Sequence, residues 1–370
     1  MPNTPQEHAQ LKKIPAPLLA WFRQQARQLP WREQPTPYRV WISEIMLQQT
    51  RVAAVMPYFE RFLAVLPDPA ALAAADEDTL MKLWEGLGYY SRARNLQKAA
   101  CILVEKYAGQ LPAEYETLLT LPGIGHYTAG AISSIAYGKK HPAVDGNVLR
   151  VIMRLTNTAE DVLKETTKRA IEAELLAIMP DGQAAGDFNQ ALMELGALVC
   201  LPRGGAHCEA CPLQSLCQAS AAGTVAELPV KAPKKQRRRE KRTVLRLCQG
   251  GRIAIDQRPA RGLLAGLWEL PNYSGHLSRK EVLTLLREAG LPVPQLKKLP
   301  PARHIFSHVE WELTGWEAIF PNYVNESKDL YDSSSPLPPL HWIEPAELEH
   351  TYSIPSAFHY YLFSKSSRNL

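Results

Sequence analysis

The sequence predicts two domains, an all-α first domain and a smaller α/β second one. Three observations carry that prediction. Apolar residues recur every three or four positions up to about residue 220 and alternate with polar ones beyond residue 243. A Lys/Arg-rich stretch, 231–242, separates the two patterns. Four of the six cysteines close the helical part within residues 200–217. At 370 residues, both parts are long enough to bury a core.

The helical part is read as residues 1–220, with helices over 17–29, 40–50, 78–83, 92–107, 113–120, 128–137, 148–155, 167–179 and 187–199. Pro and Gly punctuate the joins. Residues 221–242 are read as a basic linker, rich in Ala, Gly and Pro before KAPKKQRRREKR. It is either a solvated tether or a phosphate-contacting segment, and a nuclear-import signal is a third reading. Its eight Lys or Arg against one Glu outweigh the +5 of the whole chain, so the remainder is slightly acidic. Overall charge does not by itself mark a nucleic-acid binder. In 243–370, strands are expected at 243–248, 252–257 and 309–320, and helices at 278–289 and near 355–362. No apolar run approaches the ~20 residues of a membrane helix, and Met1–Lys13 lacks the apolar core of a signal peptide. A cytoplasmic protein, nucleoid-associated if bacterial and with no membrane partner, is expected.

In a cytosolic chain, clustered Cys200, Cys208, Cys211 and Cys217 indicate a metal or cluster site, not disulfides. Their spacing admits zinc or a [4Fe–4S] cluster. The single CxxC pair, Cys208/Cys211, favours the cluster, whose irons each take one thiolate. Cys101 and Cys248 stand apart and read as plain buried thiols.

LPGIG, 121–125, sits between two helical segments. Gly123 and Gly125 allow a tight turn with exposed backbone N–H groups, and the next helix points its N-terminus at the same spot, a geometry suited to phosphate. A structural Pro-Gly turn is the alternative. Glu44 lies on one helical stripe with Val40 and Leu47, where desolvation raises a carboxyl's pKa and suits it to general acid work. An exposed surface Glu is the alternative. Asp145 precedes the helix 148–155 and is either an ordinary N-cap or a functional carboxylate kept ionised by backbone N–H groups.

TPYRVWISEIMLQQTRV, LPGIGHYTAGAI and VDGNVLRV together resemble the adenine glycosylases of the helix-hairpin-helix, endonuclease III superfamily. The cysteine run resembles that superfamily's iron–sulfur signature with one extra residue in the first gap, which Gly204 and Gly205 would accommodate. RGLLAGLWELP, 261–271, resembles the Nudix-like domain of the same enzymes. The resemblance implies a multidomain chain. An all-α helix-hairpin-helix glycosylase domain has its hairpin at about 118–137 and its iron–sulfur loop at 200–217. A smaller α/β Nudix-like domain, 243–370, recognises 8-oxoguanine.

The implied activity is hydrolytic removal of adenine, flipped out of double-stranded DNA, where it is mispaired with 8-oxoguanine or guanine. Glu44 would protonate adenine N7, Asp145 would stabilise the sugar cation, and Asn147 would orient Asp145. Tyr127 would support the pocket. It stands where strand-cleaving relatives carry a lysine, and a phenol forms no Schiff base, so a monofunctional enzyme is implied. Trp31, Arg32 and Gln190 match adenine-pocket positions. Gln49, Leu87 and Tyr89 match residues that wedge into the duplex, and Phe306, Ser307 and His308 match the loop that contacts 8-oxoguanine. Thr284 and Arg287 replace two glutamates that a Nudix hydrolase needs, so nucleotide hydrolysis is not expected. One [4Fe–4S] cluster per chain and a monomer are implied. The rivals are a bifunctional endonuclease III-like enzyme for oxidised pyrimidines and a non-enzymatic DNA lesion-binding protein.

Overall fold

The computed structural model describes residues 10–202, 205–232, 236–321 and 336–362. Two compact units form, 1–75 with 91–233 and 76–90 with 234–370. The segment 76–90, read as helical-domain from the sequence, therefore clusters with the second unit.

The first unit is all helical. Several of its helices begin where Pro presets the backbone or an acidic side chain caps it. Pro15, Pro30, Pro37 and Pro69 open their helices, and Asp68 accepts from Ala71 N at 2.8 Å. The helices Pro15–Gln25, Gly146–Leu155 and Gln183–Leu198 meet in one apolar core containing Leu18, Phe22, Ile152, Met153, Phe188 and Leu192. The helix Val52–Val65 lies outside the expected set because Pro57 interrupts its pattern. Complete burial of Val55, Phe59 and Phe62 outweighs the one N–H that Pro57 lacks. A π-helical stretch, Ile132–Ala136, packs against Gln183–Leu198 at Gly186, where an added Cβ would stand 2.7 Å from Ile135 Cα. Only glycine permits that approach, which carries Gln190 to the site.

The second unit is built on a mixed sheet. Its strands are β1 (Arg238–Gln249), β2 (Arg252–Gln257), β3 (Trp268–Glu269), β4 (Asn272–Ser274), β5 (Gln295–Ile305), β6 (Val309–Phe320) and β7 (His341–Ile343). The order is β3-β2-β1-β6-β5, with β4 on β1 and β7 on β2, and among the described residues only the β1/β6 pairing is parallel. Alternation along β1 feeds two cores. Val244 joins Trp311, Phe358 and Tyr361, whereas Leu245 and Leu247 join Trp316 and Leu286. The helices Ser356–Leu362 and Arg279–Glu288 cover those faces, the latter opening with a Ser278/Glu281 capping box. Strand β5 escapes the sequence reading because Pro300 and Pro301 lie inside it. The sheet tolerates them at an edge, where the register shifts between Leu299 and Ala302.

The linker reading needs correction at both ends. Leu228 is buried and its carbonyl accepts from Arg154 Nε at 3.0 Å, and Val230 O accepts from Val162 N at 3.1 Å, so 228–230 packs on the helical unit. Strand β1 starts at Arg238, so the basic run ends inside the sheet, where Glu240 pairs with Arg238 and Arg242. Residues 233–235 fall outside the described residues. Among the described residues no helix is long and apolar enough to cross a membrane.

Candidate active site

Glu44 sits on the helix Pro37–Leu47, which hides its whole middle, Val40 to Met46, from solvent. Only 6% of Glu44 is exposed. Burial pushes its carboxyl up to about 7, helped by the charge of Asp145 and opposed by the Tyr127 hydroxyl and the Arg32 guanidinium. Tyr127, on the helix His126–Ala131, donates its phenol O–H to Glu44 Oε2 and reaches Met193 Sδ at 3.5 Å. Burial, then the charges of Glu44 and Asp145, carry the phenol well above its ordinary range, so Tyr127 is a neutral donor.

Asp145 caps the helix Gly146–Leu155. Its Oδ1 accepts from Asn147 N and Val148 N, both at 2.8 Å, and its Oδ2 accepts from Asn147 Nδ2 at 2.8 Å. The N-cap reading thus holds, on a side chain that also lines the cavity around Glu44. Burial raises its pKa against these three donors and Arg150, so hydrogen bonding alone does not set its proton affinity. Arg150 donates to Asn147 Oδ1 at 2.9 Å and to Cys200 O at 2.8 Å, tying Asn147 to the cysteine loop.

Glu44, Tyr127, Asp145, Asn147, Trp31, Arg32 and Gln190 line one cavity of about 150 Å³. It joins a neutralisable carboxyl, a neutral phenol and a second carboxylate around a space of small-molecule size. Trp31 is fixed edge-on against Phe59 at 5.4 Å. The sequence reading missed two charged wall residues, Arg27 and Glu194. The available signal was the i, i+4 spacing of Gln190 and Glu194 on a largely apolar helix.

The remaining expected residues lie elsewhere. Gly123 adopts φ 79°, and Gly125 caps the helix beginning at His126, so LPGIG forms the expected turn between Tyr115–Leu119 and His126–Ala131. Buried Leu121 and Ile124 anchor it while both glycines stay exposed. Gln49 is exposed at φ 60° just past the Glu44 helix, where Arg92 Nη1 holds the carbonyls of Ile45 at 2.6 Å and Gln48 at 2.7 Å. In the second unit Leu87 is buried, but Tyr89 is 45% exposed and its hydroxyl bonds Ser307 Oγ. Phe306 packs edge-on against Trp311 at 4.9 Å, and His308 is exposed with its carbonyl accepting from Arg238 N.

The four clustered cysteines form no disulfide, nor do exposed Cys101 and buried Cys248. The expectation of a buried Cys101 is therefore corrected, because its side of the helix Ser91–Tyr107 faces outward. Among the described residues no group of three or more His, Cys, Asp or Glu is arranged to hold a single metal ion. The donor set still fits a cluster. Cys200, Cys211 and Cys217 pack against the helical core, and Arg154 Nη1 lies 3.2 Å from Cys200 Sγ. Burial, and then the three neighbouring cysteines, push Cys211 up to about 11, a penalty that a cationic centre would relieve. Arg203 and Gly204, in the gap with the extra residue, lie outside the described residues.

Comparison with known proteins agrees with this geometry. Residues 42–179 match the HhH-GPD superfamily of base excision DNA repair proteins, and residues 242–363 match the NUDIX domain. The adenine DNA glycosylase of Homo sapiens is 38% identical over 353 residues, covering 79% of this chain and 64% of that protein's own length. That of Buchnera aphidicola subsp. Baizongia pistaciae (strain Bp) is 32% identical over 329 residues, covering 86% of this chain and 91% of the relative. The solved structure of a thermostable thymine-DNA glycosylase superposes with a TM-score of 0.53 at 27% identity, over 58% of this chain and 98% of that one. With an HhH-GPD match followed by a NUDIX match and relatives matched across most of its length, the chain belongs to the adenine DNA glycosylase family.

Proposed function

We propose that the chain is a monofunctional enzyme that hydrolyses the N-glycosidic bond of adenine mispaired with 8-oxoguanine or guanine in double-stranded DNA. One observation carries the reading: a single small cavity pairs Glu44, half protonated near neutral pH, with a second carboxylate held by backbone N–H groups. A buried carboxyl that can give a proton and a second carboxylate beside it suit a bond whose leaving group needs a proton and whose sugar develops positive charge. Adenine flips into the cavity. Glu44 gives its proton to N7, the bonding electrons leave with the base, and Asp145 faces the developing sugar cation. Water then adds at C1′ and gives its proton to the Glu44 carboxylate, leaving an abasic site, free adenine and the restored acid. Tyr127 holds the Glu44 carboxyl in line. Its phenol, in the place of a lysine, offers no amine for a Schiff base, which supports hydrolysis without strand cleavage.

The LPGIG turn offers N–H groups to a phosphate, and Gln49 stands ready to fill the gap left by the base. The Tyr89–Ser307 bond and the neighbouring Phe306 support a reader of the opposite base. Cys200, Cys208, Cys211 and Cys217 would hold one [4Fe–4S] cluster, which supplies a rigid cross-link of the loop and a redox-capable centre when bound. The enzyme would act as a monomer on DNA in the cytoplasm.

The test is base release from duplexes carrying A:8-oxoguanine, A:G, A:T and oxidised thymine. Adenine should appear from the first two, fastest from the first, and borohydride should trap no covalent adduct. Release from the oxidised-thymine duplex alone, or a trapped adduct, overturns the reading. Iron and sulfide should be found in the purified protein; zinc in their place overturns the cluster.

A further inference from the structure

We propose that Glu194 is a positioning residue that decides which end of the Gln190 carboxamide meets the base. Its carboxylate anchors Arg32, Arg32 occupies the Gln190 oxygen, and Gln190 is left to meet the base as a hydrogen-bond donor. The inference rests on the adenine-hydrolase reading and goes beyond it.

Glu194 lines the cavity, yet its side chain is only 1% exposed and fully committed. Oε1 accepts from Arg27 N at 3.0 Å and Arg27 Nε at 2.7 Å. Oε2 accepts from Arg27 Nη2 at 2.8 Å and Arg32 Nη2 at 3.0 Å. Four donors fill the roughly four lone-pair sites of a carboxylate. Burial would raise its pKa, but the two guanidinium groups hold it down at about 2. Glu194 therefore neither moves a proton nor accepts from a base. It is an anchor.

What it anchors faces the base. Arg32 Nη1 donates to Arg27 O at 3.1 Å, and Arg32 Nε donates to Gln190 Oε1 at 2.9 Å. A guanidinium only donates, so the Gln190 oxygen must face Arg32 and its –NH₂ must face elsewhere. Adenine offers both kinds of partner, ring nitrogens that accept and an exocyclic amine that donates. With its –NH₂ turned to the base, Gln190 reads a ring nitrogen in preference to the exocyclic amine.

Arg32 also acts on Glu44. The charged or titratable groups around Glu44 are Tyr127, Asp145 and Arg32, with Arg27 and Glu194 on the same cavity wall. Removing the Glu194 charge leaves Arg27 and Arg32 uncompensated, which favours ionised Glu44.

Two measurements on the full chain test this. In Glu194→Gln, the alkaline limb of single-turnover adenine release should move down by about one pH unit, while Glu194→Asp, which keeps the charge, should restore the wild-type limb. Loss of folded protein alone would lower the amplitude without moving the limb. Independently, Gln190→Ala should slow release of adenine and of unsubstituted purine by the same factor, about tenfold for one lost hydrogen bond. An unmoved limb in folded Glu194→Gln overturns the inference, as does a Gln190→Ala loss confined to adenine. If the unaltered chain releases no adenine, the proposed function falls first and this inference with it.

Discussion

Tyr127→Phe removes one hydroxyl from the Glu44 carboxylate and leaves the ring. The phenol donates to Glu44 Oε2, and that bond opposes the burial that lifts Glu44 to about 7. A hydrogen bond to a charged group contributes about 1.5–3 kcal/mol. Each pKa unit corresponds to 1.36 kcal/mol, so losing the bond should raise Glu44 by about one to two units. The acid must be protonated to act, so the alkaline limb of single-turnover adenine release should move up from near neutrality by that amount. The assay is release of labelled adenine from an A:8-oxoguanine duplex at enzyme excess, from about pH 5 to pH 9. The rate at the acid plateau should fall modestly, because the carboxyl loses one restraint on its orientation. A limb that stays in place or moves down would refute the assignment of Glu44 as acid, or of Tyr127 as its partner.

Glu44→Gln should abolish adenine release and keep duplex binding. It should also stabilise the fold above neutrality. The folded pKa of about 7 exceeds the ordinary 4.5, so the stability of wild type is full below 4.5 and lost as pH rises through 7, by about 3 kcal/mol. Urea midpoints of the variant should therefore gain more at about pH 8 than at about pH 5, and equal gains would contradict the buried acid. Gly123→Ala forces a side chain to φ 79° with its Cβ 2.8 Å from Asn95 Cβ, costing about 1–2 kcal/mol. Duplex affinity should fall with an unchanged salt slope, since no charge is lost, and unchanged affinity would remove the turn from the DNA interface. Phe306→Ala should lower the ratio of adenine release opposite 8-oxoguanine to that opposite guanine. A constant ratio would remove the β5–β6 loop from lesion reading.

Much of the fold is legible in the residues because it is written in local patterns. The helix containing Glu44, the LPGIG turn and strands β2 and β6 follow directly from periodicity and glycine placement. The exceptions have local causes too. Pro57 hides a helix and Pro300-Pro301 hides an edge strand, because tertiary burial and edge position override what proline alone predicts. The basic linker misleads for a different reason. A run of Arg reads as solvated until Glu240 and the Trp311 face supply partners from the sheet.

The sequence alone determined which groups are available. It supplies a carboxyl on an apolar stripe, a carboxylate before a helix, a phenol after the LPGIG turn, and four thiols clustered within residues 200–217. Only the tertiary structure decided their states. Glu44 owes its proton to burial and the Asp145 charge, which prevail over the opposing Tyr127 phenol, and three separate helices bring these groups together. Asp145 caps a helix and also lines the cavity, a double placement that its sequence context leaves open. Glu194 gives no hint of its role in a linear string, because its meaning lies in two arginines more than 160 positions away. Proton affinity and hydrogen-bond orientation depend on every charge within a few ångströms, and that neighbourhood is assembled only when the chain folds.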